Sequence, residues 1–328
     1  MKIDRRQLLQ WTAVTCGSAA VPFKTFAQPN YPSGPVRVVV PFTAGSTTDV
    51  ISRIVGERLN NYLGQPFVVD NKPGAGGTLG AAQVATSPAD GQTLLIHSAG
   101  HVANASLYPT LKYDTLKDFA SVAMLASMPN VLVVSPQKGY TSLQDLIAKV
   151  KKSPGTFSYG SSGSGSGAHI AGEKFRMAAG LDVLHVPYRG TPEGVNDVIG
   201  GRIDWFLLPL ALAVQLVQAG KLKALSIGAS KRSPLLPNVP TTTESGLRNA
   251  DQLFWVGMFA PAKTPHEVVT RLNAEVVKAL KAPETITRFE KLGVEATPMS
   301  QPQFAKFVSD EFVETAALIK QAGIRLES

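Results

Sequence analysis

From Val36 onward, short apolar runs alternate with segments whose apolar residues recur every three or four positions. Residues 36–40 hold four valines in five positions and stop at Pro41. A short run so rich in β-branched residues predicts a strand buried on both faces. Past the small-residue segment 43–48, Ile51, Ile54, Val55, Leu59 and Tyr62 fall on one helical stripe. Residues 67–70 predict a second strand, 78–86 a helix and 93–96 a third strand. That is a βαβαβ unit, which calls for a parallel sheet. A second set follows, with strands expected over 131–134, 156–159, 183–186, 203–207 and 224–227 and helical stretches between them. Thr141 with Gln144 reads as a capping box that opens a helix to about Lys152. The remainder reads as mainly helical. Thr264-Pro265-His266-Glu267 has the form of a capping box with proline at the first helical position, and Ser300 with Gln303 opens the last helix.

Two α/β sets and a helical tail predict an α/β protein of two lobes with a cleft between them. The chain is expected to cross near 127 and near 251, so that 28–127 with 252–328 forms lobe 1 and 128–251 forms lobe 2.

The N-terminus changes the picture of where this happens. Lys2, Arg5 and Arg6 precede a mostly small or apolar stretch, 8–21, and Thr25-Phe26-Ala27 offers a cleavage site. This is the pattern of a secretory leader over 1–27, and Asp4-Arg5-Arg6-Gln7-Leu8-Leu9 resembles a twin-arginine signal. An ordinary general-secretory leader is the other reading. Cleavage after Ala27 would leave 301 of the 328 residues. It would also remove Cys16, the single cysteine, and with it any thiolate or disulfide chemistry. No later apolar run reaches transmembrane length. A periplasmic protein, acting as a monomer, is expected.

The whole chain carries a net charge of +8; loss of Lys2, Arg5, Arg6, Lys24 and Asp4 would take it to about +5. The remaining basic residues are scattered and lack interleaved aromatics, which argues against a nucleic-acid surface and fits a protein that meets small anions.

Two loops carry the candidate chemistry. The first, 41–49 (Pro-Phe-Thr-Ala-Gly-Ser-Thr-Thr-Asp), lies between a strand end and a helix start, where open α/β sheets bind ligands. A helix start has backbone N–H groups to spare and partial positive charge, so it can hold a carboxylate without Arg or Lys. Gly45 lets the backbone approach closely, while Thr43, Ser46 and Thr47 add hydroxyl donors. The same residues would serve an ordinary N-cap, with Ser46 or Thr48 tending its own helix. The second loop, 159–169, contains eight Gly or Ser residues in eleven. So little side chain exposes N–H groups as an anion nest, although a flexible surface connection would look similar.

Other constellations are weaker. Gly163-x-Gly165-x-x-Ala168 matches the dinucleotide fingerprint in form, but the next strand ends at Pro187-Tyr188-Arg189 without an acidic residue for the ribose. An exported dinucleotide-dependent oxidoreductase is therefore the distant alternative. No Gly-x-Ser-x-Gly elbow occurs. His97 and His101 are four apart but lack the glutamate of a metalloprotease helix, so no metal is expected; His101 is expected to face the cleft.

Taken in order, these landmarks closely resemble the Bug family, the substrate-binding proteins of tripartite tricarboxylate transporters. The landmarks are Val40-Pro41-Phe42 with the loop to Asp49, the run 71–77 (Asn-Lys-Pro-Gly-Ala-Gly-Gly), Asp114 to Phe119, Tyr159-Gly160-Ser161-Ser162-Gly163, and His185-Val186-Pro187-Tyr188-Arg189-Gly190. Lys231-Arg232-Ser233-Pro234, Val239-Pro240-Thr241 and Phe259-Ala260-Pro261 complete the set, and the resemblance runs from about Tyr31 to Gly323.

The resemblance implies a type II periplasmic-binding fold that closes by a hinge on a small carboxylate and delivers it to a membrane permease. It implies no catalysis and no cofactor. A ligand-sensing receptor for a signalling partner is the alternative within that class. By position it places ligand contacts on Phe42, Thr43, Ala44 and Ser46 in lobe 1, and on Ser161, Ser162 and Ser166 in lobe 2 with Tyr188 nearby. Leu208 stands where many members of the family have an Asp that reaches the cleft, which suggests a ligand without an ammonium group.

Overall fold

The computed structural model describes residues 31–324, so the leader, its cleavage site and Cys16 lie outside the described residues. In chain order, lobe 1 begins with β1 (Val36–Val40), α1 (Thr47–Leu63), β2 (Phe67–Asn71), α2 (Thr78–Ala85), β3 (Thr93–Ser98) and α3 (Gly100–Leu107). The long strand β4 (Phe119–Val134) leads to α4 (Leu143–Lys152), β5 (Ser158–Ser161), α5 (Gly167–Ala179), β6 (Leu184–Pro187) and α6 (Thr191–Ile199). Then come β7 (Trp205–Pro209), α7 (Leu210–Gln218), β8 (Lys223–Ile227) and β9 (Leu253–Pro261). The chain finishes with α8 (His266–Leu280), α9 (Pro283–Leu292), the short β10 (Glu295–Ala296) and α10 (Gln301–Ala322).

The strands run β2-β1-β3-β9-β4-β7-β5-β6 across the molecule. The first three are parallel, as the βαβαβ pattern requires, and β9 enters antiparallel to β3. β4 joins the halves. It pairs with β9 from Phe119 to Pro129 and with β7 from Asn130 to Val134. At the exchange, the Asn130 side-chain amide donates to Gln252 O at 2.7 Å, and Gly228 N–H donates to Asn130 O at 2.8 Å. β4 thus runs from one sheet into the other.

Local sequence explains most elements. α1 buries Ile51, Ile54, Val55 and Leu59, is capped by Ser46, and ends at Gly64 in the left-handed region (φ 67°). Four expectations need correction. The helix at 143 is capped by Ser142, whose hydroxyl accepts from Asp145 N–H, one residue after the expected cap. At the start of α8, Pro265 holds the capping position and no side chain caps the turn, so Thr264 does not form the expected box. The region after 251 is not mainly helical at its start, because β9 lies at the centre of the sheet. Its Trp255, Val256, Met258 and Phe259 are all buried. β4 likewise begins twelve residues before the expected strand, in Ala-, Ser- and Met-rich sequence with little β propensity. Packing on both faces decides both cases.

Candidate ligand site

Between the lobes lies a narrow cavity lined by Phe42, Ser46, Thr47, Thr48, Ser98, Ala168, Thr191, Pro209, Phe254 and Ser162. None of the ten carries a charge. Three helix N-termini meet at this space: α1 through Ser46–Thr48 from lobe 1, and α5 through Ala168 and α6 through Thr191 from lobe 2. Each brings partial positive charge and spare backbone donors. The first turn of α6 has no side-chain cap, since its N-cap is Gly190. An anion placed here would be held by dipoles and N–H groups from both lobes.

The first loop is rigid because Asp49 ties it together. Asp49 accepts from Gly45 N–H (3.0 Å), from the Asn71 amide (3.0 Å) and from the Arg53 guanidinium (2.9 Å). Asn71 also donates to Phe42 O at 2.9 Å. Burial acts to raise the Asp49 pKa, but these hydrogen bonds and the Arg53 charge outweigh it and hold the carboxyl below its usual value. Ser46 accepts from Asp49 N–H at 3.3 Å, so its side chain caps α1 while the residue also lines the cavity.

The second loop rests on two stacked imidazoles. Ser161 Oγ lies 2.6 Å from His185 Nε2 and accepts from Gly163 N–H at 3.2 Å. His169 Nδ1 accepts from Gly165 N–H at 3.0 Å, and the His169 and His185 rings stack at 4.0 Å. Burial lowers both pKa values, to about 4 for His169 and about 3 for His185. Both rings are therefore neutral near pH 7. Ser166 caps α5, accepting from His169 N–H at 3.3 Å. The Ser161–His185 pair has the spacing of a nucleophile and its base, but Ser161 is completely buried and its oxygen is already engaged.

Of the residues expected at the site, the fold brings Phe42, Ser46 and Ser162 to the cavity wall. Thr43 is half-buried at the lobe boundary with its hydroxyl unpaired, while Ala44 and Gly45 are exposed. Ser161 and Ser166 brace the second loop from within. Tyr188 lines a neighbouring open groove of about 740 Å³, which shares Ser162 with the cavity, and its hydroxyl donates to Asp197.

Three placements differ from expectation. Asp49 faces its own loop and Arg53. His101 is completely buried among His97, Tyr113, Phe119 and Phe259, because α3 turns that face into the core of lobe 1 rather than toward the cleft. Leu208 is fully buried within β7, paired with Val131, and does not line the cavity. Sequence reasoning missed Ser98, Thr191, Pro209 and Phe254. Gly190-Thr191-Pro192 does carry a legible helix-start signal, proline in the first turn. The other three reach the site only through sheet order.

A larger cavity opens between α5 and α10 and is lined by Lys174, Asp251, Glu311 and Glu314 among others. It is acidic on balance and no helix N-terminus faces it, so it lacks the features that make the smaller cavity suited to an anion. Among the described residues no helix is long and apolar enough to cross a membrane, and no cluster of three or more metal-ligating side chains occurs.

Residues 51–324 match the model of the tripartite tricarboxylate transporter family receptor. The chain is 33% identical to the protein BugT of Bordetella pertussis over 299 residues, 90% of this chain and 92% of that one. Among solved structures it is similar to Rhodopseudomonas palustris Rpa4515 with adipate, with a TM-score of 0.86 and 34% identity over 90% of this chain and 99% of that one. It is also similar to MatC from the same organism with bound malate, with a TM-score of 0.84 and 33% identity over 88% of this chain and 100% of that one.

Proposed function

The chain belongs to the tripartite tricarboxylate transporter receptor family, and from that premise we propose that it is a periplasmic solute-binding protein that captures a small organic carboxylate between its lobes. The observation that carries this reading is the convergence of three helix N-termini on one uncharged cavity. The malate and adipate held by its relatives supply the ligand class. The carboxylate sits against the starts of α1, α5 and α6, and Ser46, Thr47, Thr48, Ser98, Ser162 and Thr191 supply hydroxyl groups. Closure excludes water and strengthens each of these bonds. A micromolar dissociation constant corresponds to about −8 kcal/mol, which several charge-assisted hydrogen bonds supply.

The cavity wall offers no carboxylate to an ammonium group, and burying one unpaired is costly. The ligand is therefore an acid without an amine. Leu208 plays no part in that preference, which rests on the absence of Asp and Glu among the ten lining residues. Lobe 1 is 28–127 with 252–328 and lobe 2 is 128–251, with bending at the β4 and β9 exchange around Asn130 and Gln252. The protein acts as a monomer, reaches the periplasm through its leader by the twin-arginine route, and hands its ligand to a membrane permease. It performs no chemistry on the ligand; a fully buried Ser161 supports that part of the reading.

A thermal-shift screen followed by calorimetry tests the ligand class. Malate, adipate and related amine-free acids are expected to stabilise the protein, and aspartate and glutamate are not. Tight binding of the amino acids with no response to the amine-free acids would overturn the reading.

A further inference from the structure

Away from the cavity, the lobes meet through glycines. Gly76, in the turn before α2, packs so closely on the second loop that a Cβ there would stand 2.0 Å from Ser164 O. Gly163 lies against Gly76 from the other side, with 3.3 Å between its Cβ position and Gly76 N. A Cβ on Gly100, the first residue of α3, would meet Gly165 O at 2.8 Å and Ser166 Cα at 3.1 Å. Gly165 in turn has room for no side chain beside Asn104, whose Oδ1 would lie 2.3 Å away.

One hydrogen bond crosses this seam directly. Tyr108, the residue that ends α3 in lobe 1, donates from its hydroxyl to Ser164 O in lobe 2 at 2.8 Å. Asn104 braces the lobe 1 side by donating to Gly76 O at 3.2 Å. Neither Tyr108 nor any of these glycines lines the cavity. Gly163 therefore has a use that neither an anion nest nor a dinucleotide fingerprint explains: with Gly76 it lets two backbones touch, while Gly165 makes room for the Asn104 side chain.

We propose that this glycine seam, fastened by the Tyr108 hydroxyl, is the surface on which the lobes dock when the cavity closes, which makes Tyr108 a positioning residue for capture. The proposal rests on the reading of the cavity as a two-lobed carboxylate site. Ligand held by helix N-termini on both lobes favours closure, and the seam sets the register in which closure ends. It holds protein to protein, so it lengthens the residence of a ligand without selecting among ligands.

Two substitutions test it by opposite routes. Tyr108→Phe removes one hydrogen bond and keeps the ring, so koff for malate or adipate should rise about threefold to tenfold. Gly100→Ala places a methyl group in the seam but favours helix in lobe 1, so koff should rise while the ligand-free Tm stays level or increases. Both variants should show smaller ligand-induced compaction by small-angle scattering. A wild-type koff in either variant, or losses that follow a lowered ligand-free Tm, would overturn the proposal. Should the wild-type chain bind none of the acids, the carboxylate reading itself falls. The seam, which rests on that reading, falls with it.

Discussion

Ser161 and Ser162 are neighbours on the second loop, yet their surroundings give them different work. Ser162 lines the cavity, whereas Ser161 is sealed beneath it between Gly163 and His185. Replacing Ser162 with alanine should cost about 1 kcal/mol of binding, near fivefold in Kd, with the Tm unchanged. Calorimetry beside thermal denaturation reads both quantities. Ser161→Ala should instead lower stability by about 1–3 kcal/mol, because a buried N–H and a buried imidazole lose their partner. Equal Tm values for the two variants would contradict this division. The residue types were legible in the sequence as a pair of hydroxyls on a glycine-rich loop. Which one faces the ligand depends on β6, where His185 stands beside β5.

At the scale of elements, helix starts do most of the work, and their caps set where they point. Ser142 caps α4, whose buried Leu143, Leu146 and Val150 hold it to lobe 2. Ser142→Ala should therefore cost about 1 kcal/mol in urea denaturation, and an unaffected midpoint would show that the cap is dispensable. The strands divide differently. β1, with its four valines, is recognisable from composition because both of its faces are buried and β-branched residues suit that setting. β4 carries the crossing between lobes and yet reads poorly, because the small residues of its first half suit close packing in mid-sheet rather than β propensity, and β9 beside it is packed as closely. At Gly257, for instance, a Cβ would come within 2.4 Å of Phe304.

Over the whole molecule, three buried histidines and the half-buried His185 govern the response to acid. Burial lowers His97 and His169 to about 4 and His185 to about 3, and pushes His101 well below its ordinary value. In the unfolded chain each would titrate near pH 6.5. Between about pH 6.5 and 4 the unfolded state therefore binds more protons than the folded one, and stability falls as pH falls. Each histidine contributes up to about 1.4 kcal/mol per pH unit. Urea denaturation at a series of pH values should show a steep decline below pH 6.5 in the wild-type chain and a shallower one in His169→Asn. A flat profile over that range would contradict the buried neutral state of these rings.

Sequence by itself determined the alternation of strand and helix, the parallel unit at the start, and two helix-start loops suited to an anion, because those depend on local periodicity and capping chemistry. It could also place the landmarks of a family in order along the chain. Tertiary structure alone decided that three helix starts share one cavity, that Ser98, Pro209 and Phe254 complete its wall, and that His101 and Leu208 turn inward. The physical reason is sheet order. β9 inserts between β3 and β4 and so brings residues more than a hundred positions apart side by side. The glycines tell the same story: their abundance is written in the sequence, but the backbone that Gly76 and Gly100 admit belongs to the opposite lobe.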